Sequence, residues 1–215
     1  MTQRPYCSTL PKNYKNFTKS NLLTQMTEYR KAVEYYASNN IDYLFHNKGN
    51  NHAKIIFENI FKNAREHIRI SALNLWNTEV VRTKEYLEAL KLFLDQPKTK
   101  LDILVKSMPA DEELTEESDN NIYRILYSHP AYLAGRIRIK TGNGKCFKTI
   151  EGSEIHFCTA DGHMYRYEDD ITERTAQCNF NDSDTAKNFE TLFDSAFNGV
   201  AEDVNLKNIF AQHGN

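Results

Sequence analysis

The chain has 215 residues, with 27 Lys and Arg against 29 Asp and Glu, a net charge of −2 and a pI near 6.4. That length fits one domain plus a short appendage, and the near-neutral charge removes electrostatics-led nucleic-acid binding as a default. With 40% apolar and 26% charged residues, and no apolar run near the roughly 18 residues of a membrane-crossing helix, the composition excludes disordered and membrane-spanning classes and predicts a soluble globular protein.

The first twenty residues carry Arg4, Lys12, Lys15 and Lys19 and no acid. They lack the apolar stretch of a secretory signal, and Pro5 and Pro11 predict an irregular arm. A helix follows from about Asn21 to Ser38, with Leu22, Leu23, Met26, Tyr29, Val33 and Tyr36 on one face. Residues 1–50 hold seven Lys and Arg against Glu28, Glu34 and Asp42, a local excess of +4. The four cysteines, Cys7, Cys146, Cys158 and Cys178, form no C-x-x-C pair. That predicts a reduced, cytoplasmic compartment and no zinc site. No cofactor is expected.

An Asn-rich turn at 47–51 leads to a helix predicted over 52–66. A strand at 68–75, a helix at 79–96 and a strand at 101–105 come next. Residues 108–121 contain Asp111, Glu112, Glu113, Glu116, Glu117 and Asp119 with no Lys or Arg. They read as a solvated loop entering a helix at 120–128, or as an acidic contact for a basic partner, including the basic arm of a second copy. Strands are expected at 136–140, 155–159, 164–168 and 175–180. A helix at 185–198 is closed by Gly199 at its C′ position, and a short helix at 202–212 ends the chain. Thr141-Gly-Asn-Gly144 is too short for a phosphate-binding loop. The fold class expected is α/β, a mixed sheet flanked by helices on both faces with an extra N-terminal helix. Its divisions are an arm and helix over 1–50, a central unit over 51–200 and a tail over 201–215.

The densest polar constellation spans Glu154 to Glu168. Asp161-Gly162 suits a two-residue hairpin turn, which would set Thr159 opposite Met164 and His156 opposite Tyr167. Glu154, His156, Cys158, Tyr165 and Tyr167 would then share one face, and Ile155, Phe157, Met164, Arg166 and Glu168 the other. An Arg166–Glu168 pair and a Tyr167–His156 hydrogen bond would satisfy the buried polar groups. The functional alternative makes His156 a nucleophile or ligand contact and Arg166 an anion contact. Asn74, Trp76 and Asn77 lie past the end of the first central strand, where open α/β sheets bind ligands. Trp76 is either a ligand contact or a partly buried packing residue.

In layout, residues 50–198 resemble the phospholipase D superfamily: a helix–strand–helix–strand opening over 52–105 and a closing Phe-rich helix, Phe189 to Phe197, after an Asn-Asp-Ser turn. Active members carry H-x-K-x4-D followed by G-S-x-N. Here His156 matches the His, but Cys158 stands at the Lys position, Asp161 comes two residues early, and His163 takes the Asp place. Aligning on His163 puts Tyr165 at the Lys position, and His52-Ala-Lys54 spells H-x-K only on a predicted helix. The stretch running into Ala176-Gln-Cys-Asn-Phe-Asn-Asp182 is similar to a degenerate bacterial branch.

The resemblance implies a non-catalytic module in a bacterial, cytoplasmic multi-protein system for phage defence or regulation. It would bind a protein or ligand through His156, Cys158, Asp161, His163, Arg166, Glu168 and Trp76. A protein partner or homodimer is implied, nucleic acid is a further candidate and a membrane is not. Two alternatives stand beside it: a phosphodiesterase or nuclease using His156 with cations borrowed from Arg166 or Lys145, and a nucleic-acid binder using the basic N-terminal segment.

Overall fold

The computed structural model describes residues 19–211, apart from 146 and 200. The predicted arm with Cys7 and its basic residues, and Cys146, lie outside the described residues. In chain order the elements are α1 (Lys19–Ser38), β1 (Phe45–Lys48), α2 (Asn50–Asn63), β2 (His67–Ala72), α3 (Lys84–Leu94), β3 (Lys100–Val105), α4 (Asp111–Thr115) and α5 (Ile122–Ser128). They continue with α6 (Pro130–Leu133), β4 (Ile137–Thr141), β5 (His156–Ala160), β6 (Met164–Asp170), β7 (Thr175–Asn179), α7 (Ser183–Gly199), β8 (Glu202–Asp203) and α8 (Leu206–Ala211).

All eight strands join one mixed sheet in the order β1-β7-β6-β5-β2-β3-β4-β8. Strands β2, β3 and β4 run parallel, because helices connect them and return the chain to the same end. The remaining pairs are antiparallel. Period-two alternation divides the side chains. Ile68 and Ile70, Leu101 and Ile103, and Ile137 and Ile139 enter a large core with α2, α3 and α5. The opposite face holds a smaller core in which Phe193 and Phe197 of α7 meet Leu104 and Phe157.

Helix α1 adds a layer over α2. Val33 and Ala37 are buried, whereas Leu23, expected on the apolar face, is exposed. Arg30 crosses to the buried Glu58 of α2 at 2.6 Å and anchors the helix there. Residues 45–48, of which 47 and 48 were expected in the Asn-rich turn, form the edge strand β1. Phe45 and Asn47 point inward because they alternate with His46 and Lys48.

Helix α3 starts five residues later than predicted. The Asn77 side chain accepts the amides of Glu79 and Val80 and holds 77–83 as separate turns. The acidic segment is not one loop: 111–115 form α4, and Glu116 pairs with Arg82 at 2.8 Å. Asp182 caps α7 by accepting from the Thr185 amide, and Gly199 is the last helical residue rather than a left-handed C′ residue. The expected single C-terminal helix is a short strand β8, paired with β4, followed by α8.

Candidate functional site

The β5–β6 hairpin sets the site, and its register departs from the sequence expectation by one residue. Asp161 and Gly162 take the positive φ angles expected of a tight turn, 54° and 68°, and the His163 amide reaches the Ala160 carbonyl at 3.2 Å. His163 then stands out as an extra residue, so pairing begins at Ala160–Met164 and places His156 opposite Glu168 and Cys158 opposite Arg166. A one-residue slip exchanges the faces of one strand relative to the other. His156, Cys158, Arg166 and Glu168 therefore share the α2/α3 face, while Phe157, Tyr165 and Tyr167 share the α7 face. The aromatic set explains the choice: Phe189 of α7 stacks within 4.9–5.9 Å of all three rings, which the expected register would have split between faces.

The expected Tyr167–His156 hydrogen bond is therefore replaced. His156 Nδ1 lies 3.3 Å from Glu168 Oε2, and Arg166 Nη2 lies 3.4 Å from Glu168 Oε1. The Arg166–Glu168 pair is as expected. Burial by itself would raise the Glu168 carboxyl, but the His156 hydrogen bond and the charges of Arg166, His156 and Arg174 outweigh it and hold the group below its ordinary range. The Arg166 guanidinium sits 5.2 Å above the Phe57 ring of α2, and its Nε is buried with no hydrogen-bond partner among the described residues.

These groups form one wall of a cavity of about 280 Å³ at the C-terminal end of β2. The facing wall is the segment after β2, with Leu73, Leu75, Trp76 and Val80. Leu75 holds φ at +53° although it is not glycine, a conformation that persists only where surroundings enforce it. The Asn74 side chain accepts the Trp76 amide, and the Tyr123 hydroxyl donates to the Asn74 carbonyl. Trp76 is half-buried, stacked on Tyr123 and covered by Arg82 at 4.3 Å, so it is a packed wall residue. A second cavity of about 190 Å³ lies on the other side of His156 and is lined by Lys106, Lys145 and Phe147.

Four of the seven residues singled out from sequence, Trp76, His156, Arg166 and Glu168, thus converge on the first cavity. Cys158 does not: it is fully buried, and desolvation pushes its thiol up to about 12, so it is a core residue. Asp161 and His163 lie at the opposite end of the hairpin. The Asp161 carboxylate accepts backbone amides of Arg65, Glu66 and His67 at 2.6–3.0 Å and joins the α2–β2 connection to the turn. His52 opens α2 stacked on Tyr29 at 4.1 Å, away from any H-x-K role. Sequence reasoning missed Phe57, Leu75, Lys106 and Arg174 as cavity residues. Only the tertiary fold brings them there, and no local motif marks them. Among the described residues, no cluster of three or more His, Cys, Asp or Glu is placed to hold a metal ion, and no helix is long and apolar enough to cross a membrane.

The sequence matches no family model and no curated protein. Solved structures share the fold. TrmBL2, described as an archaeal chromatin protein showing a novel mode of DNA binding, aligns over 86% of this chain and 65% of its own, at 12% identity and a TM-score of 0.53. NucT from Helicobacter pylori aligns over 75% of this chain and 100% of its own, at 10% identity and a TM-score of 0.50. A phosphatidylserine synthase from Haemophilus influenzae Rd KW20 aligns over 79% of this chain and 43% of its own, at 7% identity and a TM-score of 0.48. This chain thus spans just under two thirds of the TrmBL2 chain. Likeness at such identities is a statement about architecture: this chain is an α/β protein with a mixed, helix-flanked sheet, similar in fold to TrmBL2 and NucT.

Proposed function

We propose that this chain is a non-catalytic, phospholipase D-like binding module that takes a ligand in the cavity between His156 and Trp76. The observation that carries this reading is the convergence of His156, Glu168 and Arg166 on a mostly apolar cavity. A few fixed polar groups in an apolar enclosure are the usual makeup of a ligand site. The position of the motif lysine favours binding over phosphoryl transfer. Cys158 stands there fully buried, so the point charge that would stabilise a transferring phosphoryl group is missing. A thermal-shift screen of small organic ligands tests the reading. Stabilisation that Trp76→Ala and Phe57→Ala abolish supports it; ligands that stabilise the two variants as much as the parent refute it.

A second reading has its own observation. Glu168 holds His156 by Nδ1, the arrangement by which a carboxylate orients a nucleophilic or basic imidazole, and Arg166 and Lys145 line the cavities on its two sides. This is the phosphodiesterase or nuclease alternative. Hydrolysis of a phosphodiester by the intact chain, lost in His156→Ala, would replace the binding reading with it. The DNA binding described for TrmBL2 supports a nucleic-acid reading as well. Under that reading, affinity for DNA falls steeply with salt and drops on deletion of residues 1–18.

A further inference from the structure

The two cavities flanking His156 are not independent. Ser71, Ala72 and His156 line both, so the ends of β2 and β5 form a saddle with a compartment on each side. The compartments differ. The first, about 280 Å³, is walled by large apolar and aromatic groups, among them Phe57, Trp76 and Val81. The second, about 190 Å³, has an apolar floor of Leu104 and Phe147 with Lys106 and Lys145 beside it.

Both compartments carry a local excess of positive charge. In the first compartment Arg166 and Arg174 face the single acid Glu168. In the second Lys106 is paired with Glu154, and Lys145 adds a further cation. Each compartment is left with one net positive charge, in a chain whose overall charge is −2. A concave site lined by one sign of charge with low-dielectric walls concentrates the opposite charge.

Resting on the binding reading above, we infer that the two compartments form one site and that its occupant is an elongated organic anion. Its planar apolar body lies against Phe57 and Trp76, and its acidic group lies across His156 toward Lys145. A neutral compound of the same shape fills the first compartment but leaves the net positive charge of both compartments uncompensated. A small inorganic anion leaves the apolar walls empty. Neither matches the combination of linings.

Two fluorescent probes separate the possibilities: anilinonaphthalene sulfonate, which has a planar apolar body and one acidic group, and phenylnaphthylamine, which has the body alone. The expected result is binding of the sulfonate about fivefold tighter than the amine, the equivalent of one well-placed exposed charge interaction. Lys145→Glu, at an exposed position, should cut sulfonate affinity about tenfold and leave the amine unchanged. Trp76→Ala should weaken both. If the amine binds as tightly as the sulfonate and Lys145→Glu changes neither, the binding reading stands and the anion inference is overturned. If neither probe binds, both fail. Because the probe comparison uses the unmodified chain, it does not depend on any variant folding.

Discussion

Glu168 stands directly across the β5–β6 ladder from His156, and its carboxylate reaches both the His156 imidazole at 3.3 Å and the Arg166 guanidinium at 3.4 Å. One buried acid thereby fixes two cavity residues. Removing it leaves Arg166, only 4% exposed, as a charge without its counter-ion. Glu168→Ala is therefore expected to cost about 3–5 kcal/mol. Glu168→Gln keeps the shape and an acceptor and should cost less. Urea denaturation of the two variants checks this order; equal, small losses would contradict it.

Asp161 was a site residue by sequence and is a structural clasp in the fold. Its carboxylate accepts amides from Arg65, Glu66 and His67. Asp161→Ala should destabilise the chain by about 1.5–3 kcal/mol, the range for hydrogen bonds to a charged acceptor, while leaving ligand binding at the His156 end unchanged. Denaturant titration and probe affinity, measured on the same variant, separate the two effects.

Phe189 holds the hairpin register through contacts with Phe157, Tyr165 and Tyr167. Phe189→Leu keeps apolar volume but loses ring stacking worth about 0.5–1.5 kcal/mol per pair. A loss of about 1–3 kcal/mol is expected, and hydrogen exchange should show faster opening in β5 and β6 than in β3. Unchanged exchange in β5 and β6 would show that α7 does not hold the register.

Acid should weaken the fold through two carboxylates. Asp102, 1% exposed, is bound by His67 at 2.8 Å and by Arg138 at 2.5 and 2.7 Å. Burial raises its carboxyl, but these partners more than reverse that and hold it below the ordinary value of 3.8. Glu168 is likewise held below 4.5. A depressed folded-state value stabilises above the unfolded value and is lost as pH falls through the folded one. Stability should thus be full above about pH 5 and decline below about pH 4. Asp102→Asn should lower the neutral-pH stability and flatten the decline, which equilibrium unfolding across pH 2–6 measures.

The sequence was most readable where one physical signal acted alone. Apolar periodicity marked α1, α2 and α7, alternation marked β4, and Asp161-Gly162 marked the turn. It was least readable where a distant partner decided the outcome. His163 becomes an extra turn residue because Phe157, Tyr165 and Tyr167 must meet Phe189 together, and no local pattern encodes that choice. Phe45–Lys48 becomes a strand because β7 offers it an open edge. For the site, the pairing of Arg166 with Glu168 followed from residue types, and the Asp161-Gly162 turn already set Asp161 and His163 at the far end of the hairpin. The convergence of His156 with Arg166 and Glu168 on one face, with Cys158 in the core between them, required the register.

Under the binding reading, ligands enter at the His156–Trp76 end of the sheet and not at the Asp161–His163 turn. An amide NMR titration of the intact chain with anilinonaphthalene sulfonate tests it most directly. Saturable shifts are expected at Ser71, Trp76, His156 and Lys145 with the 161–163 turn unmoved. Shifts centred on the turn, with the amides around His156 unchanged, would contradict it.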